Sequence, residues 1–201
     1  LNEVESDYDP IIFEEDMTVT CLDPGRTYFI QVDGSLLPPP PLPTDFVEGY
    51  FDITITEDPA FVPMPTNDSL CNAVDLGTPP TGLGTPIVSA SNFCATTEAG
   101  EPNVDVCNNS NFFNFICDET VWFYFTTNNA PGTISIEITN ANGIDAAIAV
   151  YAAPGGVACN FSDLQFLGNS NNPLSLNTSL DVPCLDPNTV YYVQVDGGDI
   201  L

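Results

Sequence analysis

The feature that most constrains the fold is a phrase that occurs twice in the chain, at residues 21–34 and 184–197. The copies align without a gap, and both contain Cys-Leu-Asp-Pro, a tyrosine that opens a predicted strand and then Gln-Val-Asp-Gly. They begin at 21 and 184, an offset of 163 residues, whereas solenoid repeats have periods of only ~20–50 residues. An offset this long indicates that a whole domain recurs. The chain is therefore predicted to span parts of two successive, diverged modules.

The charge balance excludes several classes of partner. The 201 residues include 28 Asp and Glu, one basic residue and no His, while 43% of the chain is hydrophobic. Nucleic acids and anionic membranes are bound by clustered cations, so neither is an expected partner. No apolar run approaches the ~20 residues of a membrane span. The acidity has two open interpretations, a soluble self-repelling surface or specific cation binding.

Cysteine usage predicts disulfides and an extracellular location. The chain has seven Cys, no His and no Cys-x-x-Cys pair, which argues against zinc sites. Residues 67–201 hold six cysteines, which allow 15 pairings. Closing the most local loops gives Cys71–Cys94, Cys107–Cys117 and Cys159–Cys184. Cys21 is left over, as in a piece cut from an array, and export signals and any anchor are expected outside this sequence.

Turn and strand patterns divide the chain into three parts. Asp23-Pro24-Gly25 predicts a type II turn with Gly25 at positive φ, and Asn188 takes that place in the later copy. The strand after the turn alternates, with one half-exposed face. Residues 1–57 are predicted to be the closing strands of one module, 58–66 a Pro-rich linker, and 67–201 a module without its own last strand.

Residues 67–201 carry the pattern of an all-β fold. Strands are predicted at 87–90, 121–126, 133–138 and 146–151, separated by turn signals and without a helical period. Short strands at this spacing favour antiparallel β-sandwich modules in tandem.

A family resemblance rests on four stretches and their order: residues 95–103, 121–125, 145–151 and 191–197. Together they resemble the bacterial pre-peptidase C-terminal type module and its relatives. This resemblance implies a jelly-roll-like sandwich of the kind found in secreted enzymes, adhesins and large surface proteins. Some members of the family carry calcium.

Calcium is the one cofactor that the sequence suggests, because this ion binds several oxygen ligands on flexible loops. The family often has an acidic loop after its Val-Tyr strand. Residues 168–173 lack carboxylates there, but the matching stretch of the earlier module is acidic. The candidate ligands are Glu5, Asp7 and Asp9 in that stretch, with Glu98, Glu101 and Asp145, and also Asp118 and Glu119, as alternatives to plain surface charge.

No enzyme activity is expected, because the chain has no His or Lys to act as a general base. A glycosidase with paired carboxylates is the formal alternative. Asp68-Ser69-Leu70 matches the Asp-Ser/Thr-aliphatic pattern that resembles a bacterial O-glycan acceptor, so Ser69 is a predicted glycosylation site. Its position after the linker predicts exposure.

The sequence predicts a structural or adhesive module of a fibre on the bacterial cell surface. Its partners are neighbouring copies, whose sandwich is completed by the strand at 46–56. Phe51, Ile53 and Ile55 are expected on the inward face of that exchanged strand. The alternatives are a carbohydrate-binding domain with a glycan ligand, for which Trp122 is predicted to be core rather than platform, and an accessory domain of a secreted hydrolase.

Overall fold

A computed structural model of the chain describes residues 17–22, 25–32, 50, 52–56, 64–79, 88–102, 119–129, 132–139, 145–171 and 177–198. The chain divides into two compact units, Leu1–Val62 and Pro63–Leu201. Their boundary falls within the Pro-rich segment 58–66. All strands among the described residues belong to the second unit.

The described residues form two β-sheets and contain no α-helix, as the all-β prediction requires. The larger sheet has the strand order β1-β2-β7-β4-β5, and β3 pairs with β6 in the smaller one. The β1–β2 pair is parallel and the other pairs are antiparallel. The strands are β1 (Val74–Asp75), β2 (Val121–Thr126), β3 (Ile134–Ile138), β4 (Asp145–Ala153), β5 (Gln165–Asn171), β6 (Thr178–Val182) and β7 (Val190–Gly198).

The three central strands β2, β7 and β4 are apolar along most of their length because both faces of the larger sheet are covered. Successive side chains of a strand point to opposite faces. The first face carries Trp122, Tyr151 and Tyr192, and it packs against Leu70 and Ala158 from connecting segments. The second face carries the residues that alternate with these in β2, β4 and β7, including Val121, Phe123, Ile148, Val150 and Val193. It packs against the smaller sheet, which contributes Ile134, Ile136, Leu180 and Val182.

Aromatic packing fixes the cover of the first face. The ring centroids of Trp122 and Tyr151 are 5.8 Å apart, and those of Trp122 and Phe161 are 5.7 Å apart. Phe161 opens a short 3₁₀ turn, Phe161–Asp163, in the connection between β4 and β5. Ring pairs at this distance each contribute about 0.5–1.5 kcal/mol beyond buried area. The β4–β5 connection is therefore held against the sheet by side-chain packing.

Several predicted strands are confirmed and others are not. β2, β3 and β4 match the predicted 121–126, 133–138 and 146–151. Residues 88–90, predicted as part of a strand, are not in a sheet, and neither are 28–32 and 52–56. β1, β5 and β6 were not predicted, because each is short or mixed in polarity. Among the described residues, no helix has the length and apolar character needed to cross a bilayer.

Candidate functional site

The repeated phrase keeps its local backbone in both copies. Cys21 and Cys184 have φ values of 58° and 59°, and Gly25 and Asn188 have φ values of 76° and 52°. These are equivalent positions, since each pair is 163 residues apart. Positive φ at Gly25 and Asn188 confirms the backbone predicted for the turn, in which glycine and asparagine are the tolerated residues. The phrase therefore specifies its own local conformation.

The two copies nevertheless differ in their surroundings. In β7, Tyr191 and Val193 are 2% and 3% exposed, and they are paired with β2 and β4 on either side. The equivalent Tyr28 and Ile30 are 40% and 54% exposed. The half-exposed face expected from the sequence is thus absent in β7, where both faces are covered. Residues 28–32 form a surface with the sequence of a core strand.

The segment 52–56 is also apolar and exposed. Ile53 and Ile55, which alternation predicts on an inward face, are 54% and 76% exposed. Phe51, the third residue predicted for strand exchange, lies outside the described residues. Exposed apolar patches of this kind usually mark interaction surfaces. We refer to residues 28–32 and 52–56 together as the exposed repeat surface.

A buried polar network lies at one end of the first face. Tyr151 donates from its hydroxyl to Gln194 Oε1 at 2.6 Å, and Gln194 Nε2 donates to Glu101 Oε1 at 2.9 Å. The other oxygen of Glu101 accepts the backbone N–H of Glu98 at 2.8 Å. Gly100, with φ 85°, closes the turn in which Glu101 N–H bonds to Glu98 O. The network ties the 98–101 turn to β4 and β7.

Burial perturbs the titration of this network. Desolvation raises the pKa of Glu101 above its ordinary value of 4.5, and bonds from the Glu98 backbone, Thr120 and Gln194 partly oppose it. Desolvation also raises the pKa of Tyr151, and the nearby charge of Glu101 adds to the effect. Both shifts have burial as their main cause, as expected for polar groups packed against the sheet.

The raised pKa of Glu101 predicts that stability increases on mild acidification. Because the pKa of Glu101 is higher in the folded than in the unfolded state, protonation of this carboxyl stabilises the fold. The stabilisation is complete below pH 4.5 and is lost as the pH rises through the pKa of the folded state. Glu101→Gln should therefore flatten the rise in Tm between pH 7 and pH ~5. Calorimetry in high salt measures this, because salt screens surface repulsion. Glu137→Gln, which removes an exposed charge from β3, is the matched control, and equal slopes for both variants would contradict the prediction.

The candidate calcium ligands are not brought together in the described residues. No group of three acidic or Cys side chains occurs there. Glu98 accepts the backbone N–H of Leu70 at 2.7 Å, and Glu101 is bonded as described. Glu119 lies apart in sequence, before β2. The remaining candidates are outside the described residues or, for Asp145, outside the described side chains: Glu5, Asp7, Asp9, Asp118 and Asp145.

The predicted glycan acceptor sits in a structured turn. Ser69 is half-buried and precedes the 3₁₀ turn Leu70–Asn72. The carboxylate of Asp68 accepts the backbone N–H of Thr96 and, at 2.9 Å, its hydroxyl. Asp68 thus anchors the 95–102 segment, a role that the acceptor pattern did not indicate. The exposure expected for Ser69 is only partial.

The cysteines do not follow the local pairing. Cys71, Cys159 and Cys184 carry exposed thiols, whereas Cys21 and Cys94 are each disulfide-bonded. The predicted Cys71–Cys94 and Cys159–Cys184 bonds are therefore not formed, and Cys107 and Cys117 lie outside the described residues.

Within each of these two local pairs, the neighbours of the two cysteines are buried on opposite faces of the larger sheet. Leu70 and Ala158, next to Cys71 and Cys159, are buried on the first face. Ala95 and Leu185, next to Cys94 and Cys184, are buried on the second.

Comparison of the chain with protein-family models, curated proteins and solved structures finds no match in any of the three.

Proposed function

We propose that the chain is a structural or adhesive repeat module of an extracellular bacterial surface fibre, which assembles by exchanging strands with a neighbouring copy. The observation that carries the proposal is the exposed repeat surface. One copy of the phrase is a central buried strand, and the other presents the same apolar pattern to solvent. The exposed segment has a sequence suited to the interior of a sheet. A second molecule of the protein would supply the strands with which it pairs.

The smaller sheet offers a place for an added strand. Among the described residues it has two strands facing five, and its inward-facing Ile134, Ile136 and Ile138 are only partly buried. Strand addition at an open edge uses backbone hydrogen bonds for affinity and alternate side chains for specificity. The occupant in this proposal is residues 46–56 of a second copy, with Phe51, Ile53 and Ile55 turned inward. Copies that complete one another in this way would form a tandem array of jelly-roll-like sandwiches.

The composition suits this role. With one basic residue, the chain offers trypsin-like proteases a single cleavage site, and its acidity keeps unassembled copies apart. The resemblance to the pre-peptidase C-terminal type module supports a secreted, non-enzymatic unit. Calcium bound through Glu5, Asp7 and Asp9 and a glycan on Ser69 remain predictions for the assembled fibre. A carbohydrate-binding role has less support, because Trp122 is fully buried.

The test is self-association of the full chain. Sedimentation velocity and electron microscopy should show oligomers or filaments that increase with concentration and with salt, because salt screens the net charge of −27. Ile55→Asp, which charges the inward face of the exchanged strand 46–56, should abolish this association by placing a carboxylate in the new interface.

Val157→Asp is the matched control, because Val157 is exposed to a similar degree, 65% against 76% for Ile55, but lies in the β4–β5 connection. The control variant should associate like the unaltered chain. A chain that stays monomeric at every concentration and salt level contradicts the proposal, and so does equal association of the two variants.

A further inference from the structure

Two exposed thiols lie close together in the connecting segments that cover the first face of the larger sheet. Cys71 lies in the 3₁₀ turn Leu70–Asn72, and Cys159 lies in the β4–β5 connection just before the turn Phe161–Asp163. The Sγ atom of Cys71 is 3.6 Å from the carbonyl oxygen of Cys159, although the residues are 88 positions apart in sequence. The fold has therefore already brought the two residues together.

The backbone on both sides of the pair is fixed. Tyr192 holds the β4–β5 connection, because its hydroxyl donates to Ala158 O at 3.0 Å and accepts from Ala158 N–H at 2.9 Å. Leu70 is 2% exposed, and its N–H donates to Glu98. Leu70 and Ala158 belong to the same buried cluster. Neither cysteine needs a large rearrangement of its neighbours to reach the other.

The titration of Cys71 reflects the same proximity. The hydrogen bond with Cys159 is the main cause that raises the pKa of Cys71, from 9.0 to about 11. Desolvation and the charges of Cys159 and Glu98 add to it. The two thiols thus interact with each other in the reduced protein.

We propose that Cys71 and Cys159 form a structural disulfide in an oxidising compartment. The oxidant is a low-molecular-weight disulfide such as glutathione disulfide. A thiolate of the pair attacks one of its sulfur atoms and releases one glutathione thiolate, and the second cysteine displaces the other. One S–S bond breaks and one forms, and the two protons of the cysteines end on the two released thiols. The protein pair loses two electrons, which the oxidant gains.

This bond joins two segments that cover the first face and lie far apart in the chain. It closes a loop of 88 residues, and a long loop gives a large reduction in the entropy of the unfolded chain. The oxidised protein should melt about 6–12 °C above the reduced one. The pair was not predicted from sequence, because local loop closure ignores which face of a sheet each cysteine reaches.

The test uses the full chain with Cys184→Ser, which removes the third exposed thiol of the described part of the chain. The protein is incubated with glutathione disulfide, alkylated and analysed by intact mass and by mapping with a protease specific for acidic residues. Formation of the bond should lower the mass by about 2 Da before alkylation and leave two fewer alkyl groups on the protein after it. The map should contain a peptide pair linked through Cys71 and Cys159.

Cys71→Ser and Cys159→Ser provide the controls. In reduced form each should melt close to the reduced parent, which separates loss of the bond from loss of the fold. Neither should gain thermal stability on oxidation, whereas the Cys184→Ser parent should. A map that links Cys71 to another cysteine overturns the proposal, and so does one in which both thiols remain alkylatable after treatment.

The pH dependence of the reduced pair gives a second measurement. Alkylation of Cys71 in the folded Cys184→Ser protein should rise with pH to a midpoint near 11, and in the unfolded chain to one near 9.0. Replacing Cys159 with serine should lower the folded midpoint, because the strongest cause of the shift is removed. A midpoint that stays unchanged in Cys159→Ser contradicts the contact between the thiols.

Discussion

Trp122→Ala should lower the free energy of unfolding of the second unit by about 3–5 kcal/mol, the range for removing a large aromatic side chain from a core. Trp122 is 0% exposed, and it packs against the rings of Tyr151 and Phe161. The surrounding strands are hydrogen-bonded on both sides and cannot collapse into the space. Denaturant unfolding followed by circular dichroism measures the loss.

Phe93→Ala is the comparison for this experiment, because Phe93 is 44% exposed and should cost about 1 kcal/mol. Trp122→Phe should cost less than Trp122→Ala for two reasons. It keeps part of the ring, and it removes the indole Nε1, which has no hydrogen-bond partner among the described residues. A stable Trp122→Ala protein would show that this side chain is not part of the core.

Gln194→Ala should cost about 2–4 kcal/mol, because it leaves one buried and one partly buried group without their partner. The hydroxyl of Tyr151 loses its acceptor, and a carboxylate oxygen of Glu101 loses a donor. Gln194 is 6% exposed, so water replaces these bonds poorly. Thermal unfolding of the full chain measures the effect.

The repeat itself provides the control for Gln194. Gln31 occupies the same position of the phrase but is exposed, so Gln31→Ala should change stability by less than about 0.5 kcal/mol. The two substitutions remove the same side chain from the same local sequence. Equal effects would contradict the assignment of the polar network to the second copy alone.

Sequence patterns predicted the parts of the fold that depend on short-range chemistry. The backbone at Gly25 and Asn188 follows from the few residues that tolerate positive φ, and β2, β3 and β4 follow from their apolar runs. The segments at 28–32 and 52–56 have the same strand pattern and are not in a sheet. Alternation reports the preference of a segment for a strand, whereas a strand also requires a hydrogen-bonding neighbour.

The polar network and the thiol pair could not be predicted from the sequence, because both depend on long-range contacts. Glu98 and Glu101 were candidate ligands on the basis of charge alone, and their actual partners include the amide of Gln194 and the backbone of Leu70. Cys71 and Cys159 meet only because the β4–β5 connection folds back over the first face. A weak signal existed in the Gln of the repeated phrase, a polar residue between buried neighbours in a strand.

The position of β7 also determines how the second unit would respond to tension. Asn67 is bonded to the backbone of Trp122 at the start of β2, and the end of β7 lies at the same edge, where Val195 pairs with Val121. The chain thus enters and leaves the larger sheet at one end. A force applied through these two points would peel β7 away one residue pair at a time, rather than shear all its bonds together. Resistance to such a force would come from the pairing of β7 with both β2 and β4 and from the burial of its side chains on both faces.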